Sequence, residues 1–219
     1  MEAEPKHQDN EQEGKEDSNQ QNENFLVDQD LYLKAGIHIG TKFRTRYMSN
    51  FIYKTRSDGL SVLNIQKIDE RIRMAVNMLS EYEPEDILVV CRRENGWRPM
   101  KLLQKHTGIK IFPGRYPPGI LTNTNLEDFV EAKILLISDA WPDRNAVEDA
   151  MRIGIPIVGL CDTNNQSNNI DLVVPCNNKG KKALELFFYI VTREYLRKKG
   201  LLTEEKEKEI KIEDFLQEE

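Results

Sequence analysis

The sequence has no hydrophobic run long enough to cross a bilayer and only three cysteines, the residues whose disulfides cross-link small secreted proteins. A transmembrane helix needs about 20 consecutive apolar residues, and the first 24 residues are polar and acidic, without the apolar stretch of a secretory signal. The three cysteines, Cys91, Cys161 and Cys176, are widely spaced and include no C-x-x-C pair. Neither a disulfide framework nor a zinc site is indicated. We therefore expect a soluble, intracellular protein in a reducing compartment, with no membrane partner.

The sequence also lacks the glycine-rich loops that hold nucleotide phosphates. Neither G-x-G-x-x-G nor G-x-x-x-x-G-K-[ST] occurs, and the glycines of Gly36-Ile-His-Ile-Gly40 match neither spacing. The three histidines are scattered, which argues against a metal site. Although His38 could act as a catalytic base, no serine or cysteine nucleophile has a recognisable motif to pair with it, so a structural histidine is favoured. We expect no cofactor and no metal.

Charge is plentiful but unevenly distributed. The net charge is -6 over 219 residues, yet residues 1–24 carry eight acids and two lysines, and residues 204–219 carry eight acids and three lysines. The intervening residues 25–203 carry 26 basic and 21 acidic residues. A basic body between two acidic segments indicates a phosphate-rich partner, although a mixed solvated surface would give the same balance.

Composition divides the chain into three parts. Residues 1–24 contain no Leu, Ile, Val or aromatic residue, so they cannot bury enough apolar area to offset the entropy of ordering, and we predict a disordered acidic tail. Residues 25–202 are predicted to form a single α/β domain. Residues 203–219 are predicted to be a charged C-terminal tail, whose apolar side chains between Ile210 and Leu216 would support a short helix if a partner covered them.

Between these tails, short apolar runs alternate with segments of helical periodicity. The runs are continuous, which is typical of strands buried on both faces of a parallel sheet. They are Ile87–Cys91, Ile109–Phe112, Ile134–Ser138, Ile155–Cys161 and Leu172–Pro175. Helices are predicted near residues 65–81, 97–106, 143–152 and 179–199, with Asp143 as a cap, and Asp58-Gly59 predicts a tight hairpin. The pattern indicates an α/β fold, a doubly wound parallel sheet of about five strands with an N-terminal hairpin.

Two aspartates follow predicted strands of this sheet. Ligands of open parallel sheets meet the loops after the carboxyl ends of the strands, so Asp139 and Asp162 could form a carboxylate pair that acts on a bound small molecule. Caps and turns at strand-to-helix junctions also favour aspartate, because its side chain bonds to the local backbone. This second interpretation is favoured, and a small-molecule enzyme is the alternative function.

Basic residues occur in clusters, a pattern that favours contact with an extended polyanion over a single small-molecule pocket. Any one cluster would be an ordinary solvated face on its own. The last cluster opens the final helix, where free backbone N-H groups and the positive dipole end favour phosphate. The candidate phosphate-binding residues are Lys42, Arg44, Arg46, Lys54, Arg56, Arg92, Arg93, Arg115, Lys179, Lys181 and Lys182.

An ordered series of motifs runs along the body from about residue 30 to residue 202. It begins with Tyr32-Leu-Lys-Ala-Gly-Ile-His-Ile-Gly40, Ile52-Tyr-Lys54, Arg56-Ser-Asp-Gly59 and Asn64-Ile-Gln-Lys67. It continues with Gly114-Arg115, Pro118-Gly119, Leu121-Thr-Asn123, Cys161-Asp-Thr-Asn164, Pro175-Cys-Asn-Asn-Lys-Gly180 and Arg193-Glu-Tyr-Leu-Arg197. The series resembles the universal small-subunit ribosomal protein two family, whose eukaryotic member is called SA.

That resemblance implies a flavodoxin-like α/β fold and no enzymatic activity. It implies binding to small-subunit ribosomal RNA and to neighbouring ribosomal proteins near the junction of head and body. The candidate phosphate-binding residues thereby become the predicted RNA-binding residues. The coiled-coil insertion of bacterial members, expected soon after the segment matching Leu121-Thr-Asn123, is absent, as is the long eukaryotic C-terminal extension. An archaeal-type member is therefore expected. The leading prediction is a structural constituent of the small ribosomal subunit that acts in translation.

Overall fold

The computed structural model describes residues 25–203, 206 and 209–216. The predicted disordered tail, residues 1–24, lies outside the described residues, as does part of the predicted C-terminal tail. The strands are β1 Ile52–Thr55, β2 Ser61–Leu63, β3 Ile87–Cys91, β4 Lys110–Pro113, β5 Ile134–Ile137, β6 Ile157–Cys161 and β7 Leu172–Pro175. The helices are α1 Gln29–Ala35, α2 Ile65–Ser80, α3 Trp97–Thr107, α4 Arg144–Ile153, α5 Lys181–Lys198 and α6 Ile212–Phe215.

Strands β3 to β7 form one parallel sheet in the order β4-β3-β5-β6-β7. The predicted parallel sheet of five strands is confirmed. Because β4 lies on one side of β3 and β5 on the other, the strand order reverses between β3 and β5, as in flavodoxin-like folds. The carboxyl ends of these two strands define the switch point, where such folds usually bind ligands.

Apolar side chains pack on both faces of the sheet, because successive residues of a strand point to opposite sides. β3, β5 and β6 are buried along their whole length. One face packs against α2, α3 and α5, where Ile72, Met100 and Phe187 are fully buried. The other face packs against α4 and the segment 116–132. The predicted double winding is confirmed, and each large apolar side chain buried in this way contributes about 1.5–3 kcal/mol.

Local sequence signals set the ends of the helices. The Gln66 amide donates to the Asn64 side chain at 2.9 Å where α2 begins. α3 and α4 end at Gly108 and Gly154, whose φ angles of 77° and 76° lie in the left-handed region that favours glycine. The helices predicted from periodicity are confirmed. Within the part of the chain that the structure describes, no helix combines the length and apolar character needed to span a bilayer.

β1 and β2 form an antiparallel hairpin that precedes the sheet. The Leu60 amide donates to Asp58 Oδ1 at 3.0 Å, and Gly59 adopts a φ of 87°. Glycine reaches this conformation without a Cβ penalty, so the Asp58-Gly59 pair closes the turn. The predicted hairpin is confirmed.

The segment 36–45 joins the hairpin to the carboxyl end of the sheet. On one side, the Leu63 amide of β2 donates to the His38 carbonyl at 2.8 Å. On the other side, the Thr41 amide donates at 2.9 Å to Oγ1 of Thr163, which follows β6. The hairpin is therefore fixed at the same edge of the sheet as the loops that follow the strands.

Gly40 makes this close approach possible. A Cβ at this position would lie 2.5 Å from Cγ2 of Thr163 and 3.0 Å from the carbonyl oxygen of Ser61. Because glycine has no side chain, the segment 36–45 passes between β2 and the loop after β6 without displacing either. The last glycine of the motif at residues 32–40 thus has a packing role.

Two helices outside the sheet complete the core. The Tyr32 hydroxyl of α1 donates at 2.8 Å to Oδ1 of Asp69 in α2. Phe215 of α6 is fully buried against Tyr189 of α5, with ring centroids 5.6 Å apart, and Ile210 is also buried. The sequence predicted that a partner would have to cover these C-terminal apolar residues. The covering surface is provided by α3 and α5 of the same chain.

Candidate nucleic-acid interface

Arg93 and Asp139 meet at the switch point. Arg93 follows β3 and Asp139 follows β5, with the guanidinium Nε 3.1 Å from Asp139 Oδ2 and Nη2 in contact with the same oxygen. Asp139 Oδ1 accepts hydrogen bonds from the Asn165 side chain at 2.8 Å and from the Trp141 amide at 3.1 Å. Both oxygens of this buried carboxylate therefore have protein partners. The ion pair fills the place where folds with this strand order usually bind a ligand.

Asp162 is engaged in a similar way after β6. Lys179 Nζ lies 2.9 Å from Asp162 Oδ2 and 3.1 Å from Asn164 Oδ1. The Thr163 amide donates to Asp162 Oδ1 at 2.6 Å. A buried carboxylate that is paired with a cation and with a backbone amide holds its loop in place. The geometry thus supports the interpretation of Asp139 and Asp162 as structural turn residues rather than as a catalytic pair.

Asp143 is also buried at this edge. The sequence predicted that its side chain caps α4, but this side chain makes no capping bond, because the carboxylate turns toward the end of β3. Its Oδ2 accepts from the Arg92 amide at 3.3 Å, and its Oδ1 has no partner among the described residues. Burial raises the pKa of Asp143 to about 7, since desolvation disfavours the charged carboxylate. Asp143 therefore occupies the predicted N-cap position, where its carbonyl accepts from the Ala146 amide at 3.0 Å, but its side chain links α4 to β3 and does not cap the helix.

The cysteine thiols and His38 have no catalytic setting in this structure. Cys91, Cys161 and Cys176 are buried and free. Burial raises the pKa of the Cys91 thiol to about 11 and that of the Cys161 thiol to about 12, which keeps both protonated and poorly nucleophilic. Partial burial lowers the pKa of His38. Among the residues that the structure describes, no group of three or more His, Cys, Asp or Glu is arranged to hold a metal ion.

The hairpin and residues 36–46 carry a group of cations, called here the hairpin surface. All of these side chains are exposed: Lys42, Arg44, Arg46, Lys54 and Arg56. Arg44 Nη1 reaches Oγ1 of Thr55 in β1 at 3.5 Å, which brings the segment and the hairpin together. The structure thus gathers five predicted RNA-binding residues from two stretches of sequence.

Two aromatic rings lie among these cations. Phe43 is 79% exposed and Tyr53 is 70% exposed, and Lys54 Nζ lies 5.8 Å from the centroid of the Tyr53 ring. Nucleobases stack on exposed rings of this kind, while neighbouring cations contact phosphate. Neither ring was among the residues predicted to bind RNA, although Phe43 lies between Lys42 and Arg44 and Tyr53 lies beside Lys54.

The remaining predicted RNA-binding residues lie along the carboxyl edge of the sheet. The exposed or half-buried side chains there include Arg92, Arg115, Lys181 and Lys182. Arg93 and Lys179 are half-buried, and their charges compensate the buried carboxylates of Asp139 and Asp162. Contact with RNA stays a prediction for the whole set.

A family model described as ribosomal protein S2 matches residues 125–197. The small ribosomal subunit protein uS2 of Nanoarchaeum equitans (strain Kin4-M) is 48% identical over 190 residues, which is 87% of this chain and 94% of that protein. The chain belongs to the ribosomal protein S2 family. The uS2 protein of Methanococcus maripaludis (strain C5) is 47% identical over 183 residues, or 84% of this chain and 83% of that protein. The uS2 protein of Ignicoccus hospitalis is 45% identical over 180 residues, which is 82% of this chain and 85% of that protein.

Membership of the ribosomal protein S2 family confirms the resemblance carried by the motifs, and these relatives are archaeal, as expected. It also confirms the prediction that the chain is not an enzyme. The structural roles of Asp139 and Asp162 agree with this conclusion. The alternative of a small-molecule enzyme is therefore withdrawn.

Sequence reasoning gave no role to one exposed side chain at the carboxyl edge. Trp141 follows Asp139 after β5, and its side chain is 77% exposed. The sequence does contain a signal for this exposure. Trp141 lies in the loop that follows a buried strand, where a large aromatic side chain is not part of the core. The Trp141 ring lines a groove that is separate from the hairpin surface.

Proposed function

We propose that the chain is a structural constituent of the small ribosomal subunit, in the cytoplasm, and that it acts in translation. Its relatives are named small ribosomal subunit proteins, which supports this role. In the proposed role the chain binds small-subunit ribosomal RNA and neighbouring ribosomal proteins near the junction of head and body.

The hairpin surface carries the RNA-binding part of this proposal. Its five exposed cations, Lys42, Arg44, Arg46, Lys54 and Arg56, lie in the two chain segments that also carry the exposed rings of Phe43 and Tyr53. Phosphate contacts supply affinity and orientation without reading base sequence. Aromatic rings add stacking with unpaired bases, which folded RNA presents in loops and bulges.

The attachment of the hairpin favours binding for a second reason. The hydrogen bonds of the segment 36–45 to Leu63 on one side and to Thr163 on the other fix the hairpin against the sheet. A preorganised surface loses less conformational entropy when it binds, so more of the contact energy appears as affinity. The cations thus act from a rigid platform.

The carboxyl edge of the sheet extends the proposed RNA surface. Arg92, Arg115 and Lys182 are exposed there, at the same edge to which the hairpin is fixed. Arg93 and Lys179 support this surface by holding the loops that carry Asp139 and Asp162 in place. The proposed interface is therefore extended, as expected for a protein bound along a folded RNA.

The experiment compares charge reversals on and off the hairpin surface. The variant Arg44→Glu/Arg46→Glu changes the hairpin surface, and the control Lys101→Glu/Lys198→Glu changes two exposed lysines on α3 and α5. Affinity for small-subunit ribosomal RNA is measured across a range of salt concentrations. Each lost phosphate contact should reduce the magnitude of the negative slope of log affinity against log salt by roughly 0.7–0.9. The hairpin variant should also fail to co-sediment with small ribosomal subunits, whereas the control should be retained.

The control separates local contacts from the long-range field of the protein, since adding two acids anywhere on a basic body weakens RNA binding. If both variants lose the same affinity and flatten the slope equally, the hairpin surface is not an RNA contact. Far-ultraviolet circular dichroism of both variants checks that the fold is intact.

A further inference from the structure

Trp141 forms an exposed aromatic platform in the loop after β5. Its ring is 77% exposed, but its backbone is held, because the Trp141 amide donates to Asp139 Oδ1 at 3.1 Å. Asp139 is itself fixed by Arg93. A large apolar ring on a rigid loop, with most of its area in water, is typical of a surface that meets a partner.

Amide side chains line the same groove as Trp141. Gln166, Asn168 and Asn169 are exposed in the loop between β6 and β7, and they line the same cavity of about 540 Å³ as Trp141. Asn165 fixes this loop from below, since its side chain donates to Asp139 Oδ1 at 2.8 Å. One carboxylate thus positions both loops that line the groove.

The charges around the groove suit a ligand with one anionic end. Arg144 and Glu148 also line the groove but pair with each other at 2.7 Å, so they add little net charge. Arg92 lies outside the residues that line the groove, but its Nη1 donates at 3.2 Å to the carbonyl of Pro142, the residue after Trp141. The groove therefore offers an aromatic face and amide donors and acceptors, and the Arg92 guanidinium is bound to the backbone of the adjoining loop.

We propose that the groove of Trp141 binds an unpaired nucleotide of RNA. The base stacks on the indole ring, the amides of Gln166, Asn168 and Asn169 hydrogen-bond to the edge of the base, and Arg92 contacts the phosphate. An amide side chain carries both donors and an acceptor, as the edges of the bases do. This inference rests on the proposed function and deepens it, because it assigns one class of RNA element, an unpaired base, to one place on the protein.

The test uses the full chain and fluorescein-labelled single-stranded oligoadenylate and oligouridylate as probes, with affinity measured by fluorescence anisotropy. Trp141→Ala should weaken binding of at least one probe by about 5- to 100-fold, the range expected for loss of one stacked base. Trp141→Phe keeps an aromatic face and should stay within about threefold of the unchanged protein. Met151→Ala removes an exposed apolar side chain toward the other end of α4 and should bind normally.

Tryptophan emission gives a second readout. The chain has two tryptophans, and the indole nitrogen of Trp97 donates to the Cys91 carbonyl at 3.2 Å, so that residue is held against β3. A base stacked on Trp141 should quench the emission of the unchanged protein when unlabelled oligonucleotide is added. The Trp141→Phe variant, which retains Trp97, should show no quenching.

Two results would overturn the inference: unchanged affinity of Trp141→Ala for both probes, or quenching that persists in Trp141→Phe. Its failure is distinguishable from that of the proposed function. If Arg44→Glu/Arg46→Glu loses binding to folded ribosomal RNA while Trp141→Ala binds single strands normally, only the nucleotide groove is wrong. If the groove instead binds a peptide from a neighbouring ribosomal protein, the affinity of Trp141→Ala for both oligonucleotides would also be unchanged, and the inference would be wrong.

Discussion

The Arg93 guanidinium and the Asp139 carboxylate form an ion pair across the switch point of the sheet, between residues 46 positions apart in the sequence. The Asp139 side chain is 2% exposed and the Arg93 side chain 33% exposed. Taking a carboxylate out of water is costly unless a cation compensates it. The pair therefore fixes the loops after β3 and β5 together, and with them the platform of Trp141.

Removing the cation of this pair should destabilise the fold. Arg93→Ala leaves Asp139 buried without its cation and should lower the free energy of unfolding by about 2–4 kcal/mol, on the low side of the range for broken buried pairs because Arg93 is partly solvated. Arg144→Ala removes an exposed ion pair with Glu148 and should cost less than about 1 kcal/mol. Urea unfolding followed by circular dichroism measures both, and equal losses would show that the buried pair has no special role.

Asp143 should make stability depend on pH. Its pKa in the folded protein is raised to about 7, whereas an unfolded aspartate titrates near about 4. Between these values the folded state retains a proton that the unfolded chain has released, so the contribution of Asp143 to stability is greatest below about pH 4, falls as pH rises toward about 7 and is constant above it. Asp143→Asn cannot ionise, so it should raise the free energy of unfolding near about pH 8 by roughly 1–3 kcal/mol.

Thermal unfolding of the Asp143→Asn variant between about pH 5 and pH 8 checks this expectation. The variant should show a flatter profile than the unchanged protein over this range. Asp58→Asn, at an exposed carboxylate in the hairpin turn, should leave the profile parallel to that of the unchanged protein. A parallel profile for Asp143→Asn as well would mean that Asp143 ionises normally in the folded state.

A side chain at Gly40 should separate the hairpin from the sheet. Gly40→Ala places a Cβ 2.5 Å from Cγ2 of Thr163, and overpacking of this kind costs about 1–3 kcal/mol. The amides of Thr41 and Thr45, which donate to Thr163, should lose protection in hydrogen exchange. Thr163→Ser removes the clashing methyl group but keeps the hydroxyl, so the double variant Gly40→Ala/Thr163→Ser should regain part of this protection. No recovery would mean that the contacts with the Ser61 carbonyl oxygen and with Oγ1 of Thr163, each 3.0 Å from the added Cβ, dominate over the contact with the methyl group.

Phe215 should stabilise the domain although it lies in a highly charged stretch of sequence. Its ring is fully buried against Tyr189, so Phe215→Ala should lower the free energy of unfolding by about 2–4 kcal/mol, with local undocking of α6 limiting the loss. Phe43→Ala truncates a ring that is 79% exposed and should change stability by no more than about 0.5 kcal/mol. Similar small effects for both would show that α6 does not contribute to the core.

The strands and most helix ends follow from neighbouring residues. The runs Ile87–Cys91 and Ile134–Ile137 form buried strands because continuous apolar side chains must be covered on both faces. Asp58-Gly59 closes the hairpin and Gly108 ends α3. Both features are predictable from the sequence, because each requires only that one glycine adopts a positive φ. Much of the hairpin surface was likewise predictable, since its basic residues lie close together in the sequence.

The roles of Asp139 and Asp162 were decided by the tertiary structure. Their cations come from Arg93, 46 residues away, and Lys179, 17 residues away, and only the strand order brings these residues to one edge. The sequence indicated turn residues but could not say which groups would compensate their charges.

By itself, the sequence determined where chain segments become strands and helices, and that the body is basic, because local conformation and charge depend on residues a few positions apart. The tertiary structure alone decided that Trp141 lines one groove with the amides of Gln166, Asn168 and Asn169, and that Phe215 is covered by α5. These contacts join distant segments, and they form only after burial of the apolar strands has fixed the order of the sheet. Their partners are therefore set by packing and not by any pattern of neighbouring residues.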